Sequence, residues 1–472
     1  MIADLKPYPE YKDSEFQWFG QLPMHWNVCQ ARHIGRFLKG VGGTKDDSLT
    51  AGIPCVRYGE LYTTFSCLIR ANESFVSEER ALCYTPIQYG DVLFAASGET
   101  IEDIGKSAIN LMQDFAVCGG DIIILRPSIS IHSPFLGYAM DCRPATAQKS
   151  TMGRGTTIKH IYPGELKRLL IPLPPLDEQV AIARYLDWAN GRLGQLIKTK
   201  QKVISLIRDQ KQAIIHRAVS RGLDPTVPLK PSGIPWLGEI PQHWEIKRAK
   251  YIFREIDQRS LEGNEELLSV SHLTGVTPRS QKNITMFKAE SYAGHKLCSP
   301  GDLVVNTMWA WAGALGVSNY SGIVSPSYAV YRPYHPEKIV IGYIDELLRT
   351  RPYISNIICH STGLRPSRLR FYPEDFLRLP IIQPPIAEQQ AIVESIRVET
   401  ASFNAAIARL EHEIGLIHEY RTRLVANVVT GKVDIREAAA RLPVDISDSN
   451  DNIIDSNELA IPSELDDKEV EV

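Results

Sequence analysis

None of the eight cysteines (Cys29, Cys55, Cys67, Cys83, Cys118, Cys142, Cys298, Cys359) forms a CxxC pair. That argues against a zinc site or a disulfide framework and predicts reduced, mostly buried thiols. No apolar run reaches the ~18 residues of a membrane span, and the opening MIADLKPYPEYKDSEF lacks a signal-peptide core, so a cytoplasmic protein is expected. Catalytic signatures are missing as well. GVGGTK at 40–45 has the wrong spacing for a phosphate-cradling loop, and Ala-Ser-Gly at 96–98 lacks the upstream glycine of a GxSxG elbow. His412-Glu413 with His418 imitates a metalloprotease motif, but at roughly 100° per residue its histidines face different sides of a helix and cannot share a zinc. The sequence holds neither an Asn/Asp-Pro-Pro-Tyr/Phe motif nor a convincing nuclease triplet. No metal site and no catalytic residue are therefore expected.

What the chain has instead is repetition. Residues 172–224 (PLPPLDEQVAIARYL and onward) recur as 382–434 (IQPPIAEQQAIVESI and onward), with Glu178 matching Glu388, Gln179 matching Gln389 and Asp224 matching Asp434 at a constant offset of 210. Each copy opens on a Pro-Pro pair and then runs without proline to a glycine, which is how a helix with a firm start and stop is written. A heptad laid on the first copy places Leu186, Leu193, Ile197, Ile204 and Ile207 on an apolar stripe; the second copy places Ile396, Phe403, Leu410, Ile414 and Ile417. Both stripes are interrupted by polar residues at matching places, Asn190 with Thr400 and Lys211 with Arg421, and such interruptions fix register in a paired seam. About 45 residues at ~1.5 Å each give a rod of about 65–70 Å, too long for one core to hide. The expectation is an antiparallel pair of helices.

The repeat extends outward. WFGQLPMHW at 18–26 returns as WLGEIPQHW at 236–244; Tyr89-Gly90-Asp91 is answered by Pro300-Gly301-Asp302, Arg126-Pro127 by Arg332-Pro333 and Tyr162-Pro163 by Tyr372-Pro373. His25 and His243, each between proline and tryptophan, read as packed structural residues rather than ligands. Short β-branched and aromatic runs punctuated by Gly, Pro, Ser and Asn predict an α+β protein: two mixed α/β units, largely of antiparallel strands, each followed by a long helix. The expected divisions are 1–175 and 223–385 for the units, 176–222 and 386–431 for the helices, and 432–472 for the tail. Between the landmarks the halves diverge, as expected of two units doing one task on different targets.

The net charge of −3 hides an asymmetry. Residues 442–472 hold ten acidic side chains against Lys468 alone, leaving that segment at −9 and the remainder at +6. The tail reads as a disordered solubilising extension; a mildly basic body permits a nucleic-acid partner.

The helix starts IPLPPLDEQVAI and IIQPPIAEQQAI, with their lead-ins HIYPGELKRLLIP and RFYPEDFLRLPII, closely resemble the specificity subunit of Type I restriction–modification systems. The two WxGxxPxHW motifs and the GDLVVNTMWAWAGALGVS…GIVSPSYAVYRP block resemble its target-recognition domains, and the resemblance covers about residues 15–435. It implies two target-recognition domains separated by an antiparallel coiled coil in a pseudo-twofold molecule, each domain reading half of an asymmetric, split site in double-stranded DNA while the helices set the spacer. It also implies docking of methyltransferase (M) and motor-nuclease restriction (R) subunits. S-adenosylmethionine, ATP and magnesium would serve those partners, the chain itself binding no cofactor and catalysing nothing. The competing readings are an unrecognised DNA-modifying enzyme and a coiled-coil adaptor that does not bind DNA.

Base readout needs side chains that reach base edges, while Lys and Arg on phosphate supply orientation. In the first half the Gly-rich GRGTTIK loop offers Arg154, Thr156, Thr157 and Lys159, with Ser97 and Arg57 as weaker candidates. In the second, the corresponding loop offers Thr362, Arg365, Ser367 and Arg368, and the Asn306-Thr307-Met308-Trp309 turn is a separate candidate. Arginine on guanine is the commonest direct contact, which favours Arg365 and Arg368.

Overall fold

The computed structural model describes residues 5–43, 47–156, 158–272, 274–281, 291–363 and 369–443. The chain forms two compact units: one contains the residues up to Lys200 together with the stretch starting at His412, and the other runs Gln201–Glu411. The division falls inside the long helices, Leu176–Arg221 and Ile386–Val429, so each helix contributes to both units.

Both helices begin as their sequence dictates. Gln179 N donates to Pro175 O and Gln389 N to Pro385 O, at 3.0 Å each. The same glutamines fold their side chains back: Gln179 Nε2 donates to Pro174 O at 2.9 Å while its Oε1 accepts from His132 N, and Gln389 repeats this with Pro384 O and Val340 N at 2.8 Å each. Both helices end at a left-handed glycine, Gly222 (φ +77°) and Gly431 (φ +68°), which releases the chain without Cβ strain.

In the first unit a five-stranded sheet orders Gly35–Lys39, Ile122–Pro127, Val92–Ala95, Ser107–Asn110 and Cys67–Ile69, antiparallel except for the last, parallel pair. A four-stranded sheet of Phe75–Val76, Ile53–Val56, Ala116–Cys118 and Thr85–Ile87 accompanies it. The second unit repeats the common part as Phe253–Ile256, Ala329–Pro333, Leu303–Val305 and Leu315–Val317, all antiparallel. Beyond each sheet come two helices (Ser133–Asp141 and Arg143–Met152; Ile341–Leu348 and Arg351–His360) and a loop. A short helix started by its N-terminal proline (Pro163–Leu166; Pro373–Arg378) and a strand (Leu170–Leu173; Pro380–Gln383) then lead into the long helix. Of the cysteines, Cys55, Cys67, Cys118, Cys142 and Cys298 are buried, and burial pushes the Cys67 and Cys118 thiols up to about 12.

The repeated landmarks meet one another. Asp91 and Asp302, each 1% exposed, accept paired hydrogen bonds from Arg126 (2.6 and 2.9 Å) and Arg332 (2.7 and 2.7 Å) and also cap their own turns through Gln88 N and Ser299 N. Paired, charge-assisted bonds of this kind are the strong ones. Glu178 accepts from Trp26 Nε1 (2.9 Å), His25 Nε2 (2.5 Å) and Tyr8 OH (3.0 Å); Glu388 accepts from Trp244 Nε1 (2.9 Å) and His243 Nε2 (2.7 Å). The WxGxxPxHW motif is thus the clasp on the glutamate in the first turn of the long helix, and its histidines are structural.

The long helices pair antiparallel within each unit. In the first, Lys200 meets Glu413 at 2.5 Å and Arg421 Nε donates to Asn190 Oδ1 at 3.1 Å. In the second, Arg208 meets Glu411 at 2.8 Å and Lys211 Nζ donates to Asn404 Oδ1 at 2.9 Å. Of the heptad positions, Leu186, Leu193, Ile197, Ile204 and Ile396 are buried and Ile207, Phe403, Leu410, Ile414 and Ile417 half-buried. The polar interruptions Asn190, Lys211 and Arg421 bond across the seam, the register-fixing role such residues play; Thr400 is buried within it.

Candidate nucleic-acid interface

In both units the loop before the Tyr-Pro landmark is closed at its foot by two reciprocal backbone bonds. Arg154 N donates to His160 O (2.9 Å) and His160 N to Arg154 O (2.7 Å); Thr362 N donates to Arg370 O (2.9 Å) and Arg370 N to Thr362 O (2.8 Å). The next residue ties the loop to the end of a central strand: Ile161 N donates to Ala96 O at 3.0 Å, and Phe371 N to Thr307 O at 2.9 Å. One frame therefore holds two loops of different length and sequence, each against a strand-end turn.

In the first unit this brings four of the candidates together. Ser97 lies in a two-residue strand paired with Lys159 and His160, and its Oγ shares a 3.0 Å hydrogen bond with His160 Nδ1. The Ser97 carbonyl accepts from Tyr62 OH at 3.0 Å, and burial pushes that phenol up to about 12, so it remains a donor. Arg57 is half-buried at the end of the strand Ile53–Val56 and leads into the short helix that carries Tyr62, its backbone N–H held by Glu60 at 2.7 Å. Arg154 pairs with Glu165 at 3.0 Å while staying largely exposed, and the Lys159 ammonium folds back onto Gly155 O (2.8 Å) and Thr156 O (2.7 Å). Lys159 thus braces the loop. Gly155 (φ +114°) makes the fold-back possible, since a Cβ there would lie 2.2 Å from Ile158 O. Thr156 is exposed; Thr157 lies outside the described residues.

In the second unit the turn and the loop adjoin through Thr307. Asn306 is buried, its amide donating to Tyr328 OH at 3.1 Å and its Oδ1 accepting from Met308 N at 3.2 Å, so it shapes the turn. Trp309 is half-buried and stacks on Trp311 at 5.4 Å. Thr362 is exposed; Arg365, Ser367 and Arg368 lie outside the described residues. Two residues that sequence reasoning passed over, His160 and Arg370, occupy the same place in the two loops. The signal that would have found them was in the repeat itself: each stands two positions before the shared Tyr-Pro pair.

Among the described residues no group of three or more His, Cys, Asp or Glu side chains could hold a metal ion, and no helix is long and apolar enough to cross a membrane.

Residues 70–206 match the family described as the Type I restriction modification DNA specificity domain. A Methanocaldococcus jannaschii protein assigned as the type I restriction enzyme MjaX specificity subunit is 26% identical over 242 residues, covering 50% of this chain and 55% of that protein. The EcoKI specificity subunit of Escherichia coli K12 is 23% identical over 241 residues, 49% of this chain and 48% of that one. The chain thus spans about half the length of the curated relatives it matches. A solved chain from work on complex assembly and conformational transition of the type I R-M system shares the fold, with a TM-score of 0.56 at 17% identity over 86% of this chain and 98% of that one. Over residues 70–206 this chain is thus similar to the Type I restriction modification DNA specificity domain, and it shares its fold with that solved chain over most of its length.

Proposed function

We propose that the chain is the non-catalytic DNA-recognition subunit of a Type I restriction–modification complex, each unit reading one half of an asymmetric, bipartite site in double-stranded DNA. The observation that carries this reading is the contrast within each unit. The Glu–Trp–His clasp and the Asp–Arg pair recur residue for residue and the backbone bonds at the loop feet recur in place, while the loop sequences they hold differ. A constant frame around variable loops is what base readout demands, because the frame sets position and the loop side chains set sequence. Methyltransferase and restriction subunits would be brought to the site by this chain in the cytoplasm, and they would use S-adenosylmethionine, ATP and magnesium; this chain would bind none of these.

The test is to express the chain with a methyltransferase partner in a host lacking other adenine methylation and to sequence the methylome. A single split motif supports the proposal. Methylation without sequence preference, or identical motifs with and without the chain, would overturn it.

A further inference from the structure

Resting on that reading, we infer that His160 and Arg370 are specificity-determining residues, each reading a base edge in the half-site of its own unit. Both stand at the foot of the loop, fixed by reciprocal backbone bonds of 2.7–2.9 Å. Each is followed by a buried anchor, Ile161 (1% exposed) or Phe371 (2% exposed). Neighbouring side chains in an extended segment point to opposite sides, so the inward turn of the anchor sends the preceding side chain outward. Arg370 is accordingly exposed and His160 half-exposed.

The other charged groups beside His160 are already engaged. Arg154 is paired with Glu165, and Lys159 is spent on the carbonyls of its own loop. Ser97 holds His160 Nδ1, which fixes the ring and leaves Nε2 for an outside partner. In the second unit the Arg370 guanidinium has no side-chain partner among the described residues, and the stretch from Ser361 to Tyr372 contains no acidic residue. A rigidly held backbone with an uncommitted planar donor is the arrangement that reads guanine O6 and N7 in the major groove. Rigid placement also separates these two from a phosphate contact, which tolerates a mobile lysine or arginine. The two positions are equivalent in the frame and different in chemistry, as expected of readers for unlike half-sites.

The experiment is methylome sequencing of the complex carrying Arg370→Ala, Arg370→Lys or His160→Ala, with the cognate duplex titrated in parallel. Arg370→Ala is expected to relax one base pair in one half of the motif only and to weaken cognate binding about tenfold to hundredfold. Arg370→Lys should restore part of the affinity but not the preference, and His160→Ala should relax the other half only. A merely structural role would lower methylation at every position without changing the motif, and that result overturns the inference. So does an unchanged motif with unchanged affinity from variants that co-purify with the methyltransferase. If the unaltered chain yields no split motif, the proposed function falls, and this inference with it.

Discussion

Trp26 Nε1 donates to Glu178 Oε2 at 2.9 Å, joining a motif near the start of the chain to the first turn of a helix 152 residues later. Trp244 and Glu388 make the same bond at the same length, yet the two glutamates differ in surroundings. The Glu178 side chain is 6% exposed, covered by Tyr8 and approached by Arg436 at 3.8 Å, whereas that of Glu388 is 41% exposed. Burial makes an unmade hydrogen bond expensive. Glu178→Ala should therefore cost about 3 kcal/mol and Glu388→Ala about 1 kcal/mol or less, read as hydrogen-exchange protection of 21–30 against 239–248. Equal losses would count against the argument from burial.

The Asn190–Arg421 bond gives a coupling prediction. Asn190→Leu leaves a half-buried guanidinium without its acceptor and should lower stability by about 1–2 kcal/mol. The double change Asn190→Leu with Arg421→Leu should recover much of this, since two apolar residues suit the seam. A thermal double-mutant cycle with no interaction energy would show that the two residues act independently.

Gly431 can be tested against its counterpart. A Cβ at Gly431 would lie 2.4 Å from Pro23 Cδ and 3.1 Å from Trp26 Cζ3 at φ +68°; at Gly222 the nearest atom would be Trp244 Cζ2 at 3.2 Å, at φ +77°. Both substitutions meet left-handed strain, and Gly431→Ala adds a clash with a proline ring that has nowhere to go. Gly431→Ala should cost about 2–4 kcal/mol and Gly222→Ala about 1–2 kcal/mol, measured as shifts of the urea midpoint.

Acid should weaken the first unit through His132. Burial pulls its pKa below the ordinary 6.5, with Asp187 opposing more weakly. A base with a depressed folded pKa contributes stability that is present above its unfolded pKa and lost as pH falls through the folded value. His132→Gln should therefore flatten the stability change between about pH 7 and pH 5 relative to the unaltered chain, carboxylate titration being common to both. Parallel curves would remove His132 as a cause.

The helices were legible because their punctuation is local: Pro174-Pro175 and Pro384-Pro385 at one end, Gly222 and Gly431 at the other. The strand runs after the Gly-Asp turns were legible for the same reason, and they form Val92–Ala95 and Leu303–Val305. The pairings of the landmarks were not. Nothing in WxGxxPxHW announces that His25 and Trp26 bind a carboxylate more than 150 positions away, because such a bond depends on how strands and helix start are brought together. Residue type alone could not show that Lys159 turns back on its own backbone or that Asn306 is buried. The division of each long helix between the two units was equally hidden, since both copies read as uninterrupted periodic runs.

That shared ownership of the helices dictates where two such proteins can trade parts. A chimera joined at Arg221 would strip Ile215, Ala218 and Val219 from the core in which they are buried with Trp244 and Tyr343. Crossovers placed near Lys200 and near Glu411 would leave the residues of both main cores with their own partners, so new pairings of the two units should arise most readily from exchange in the middle of the helices.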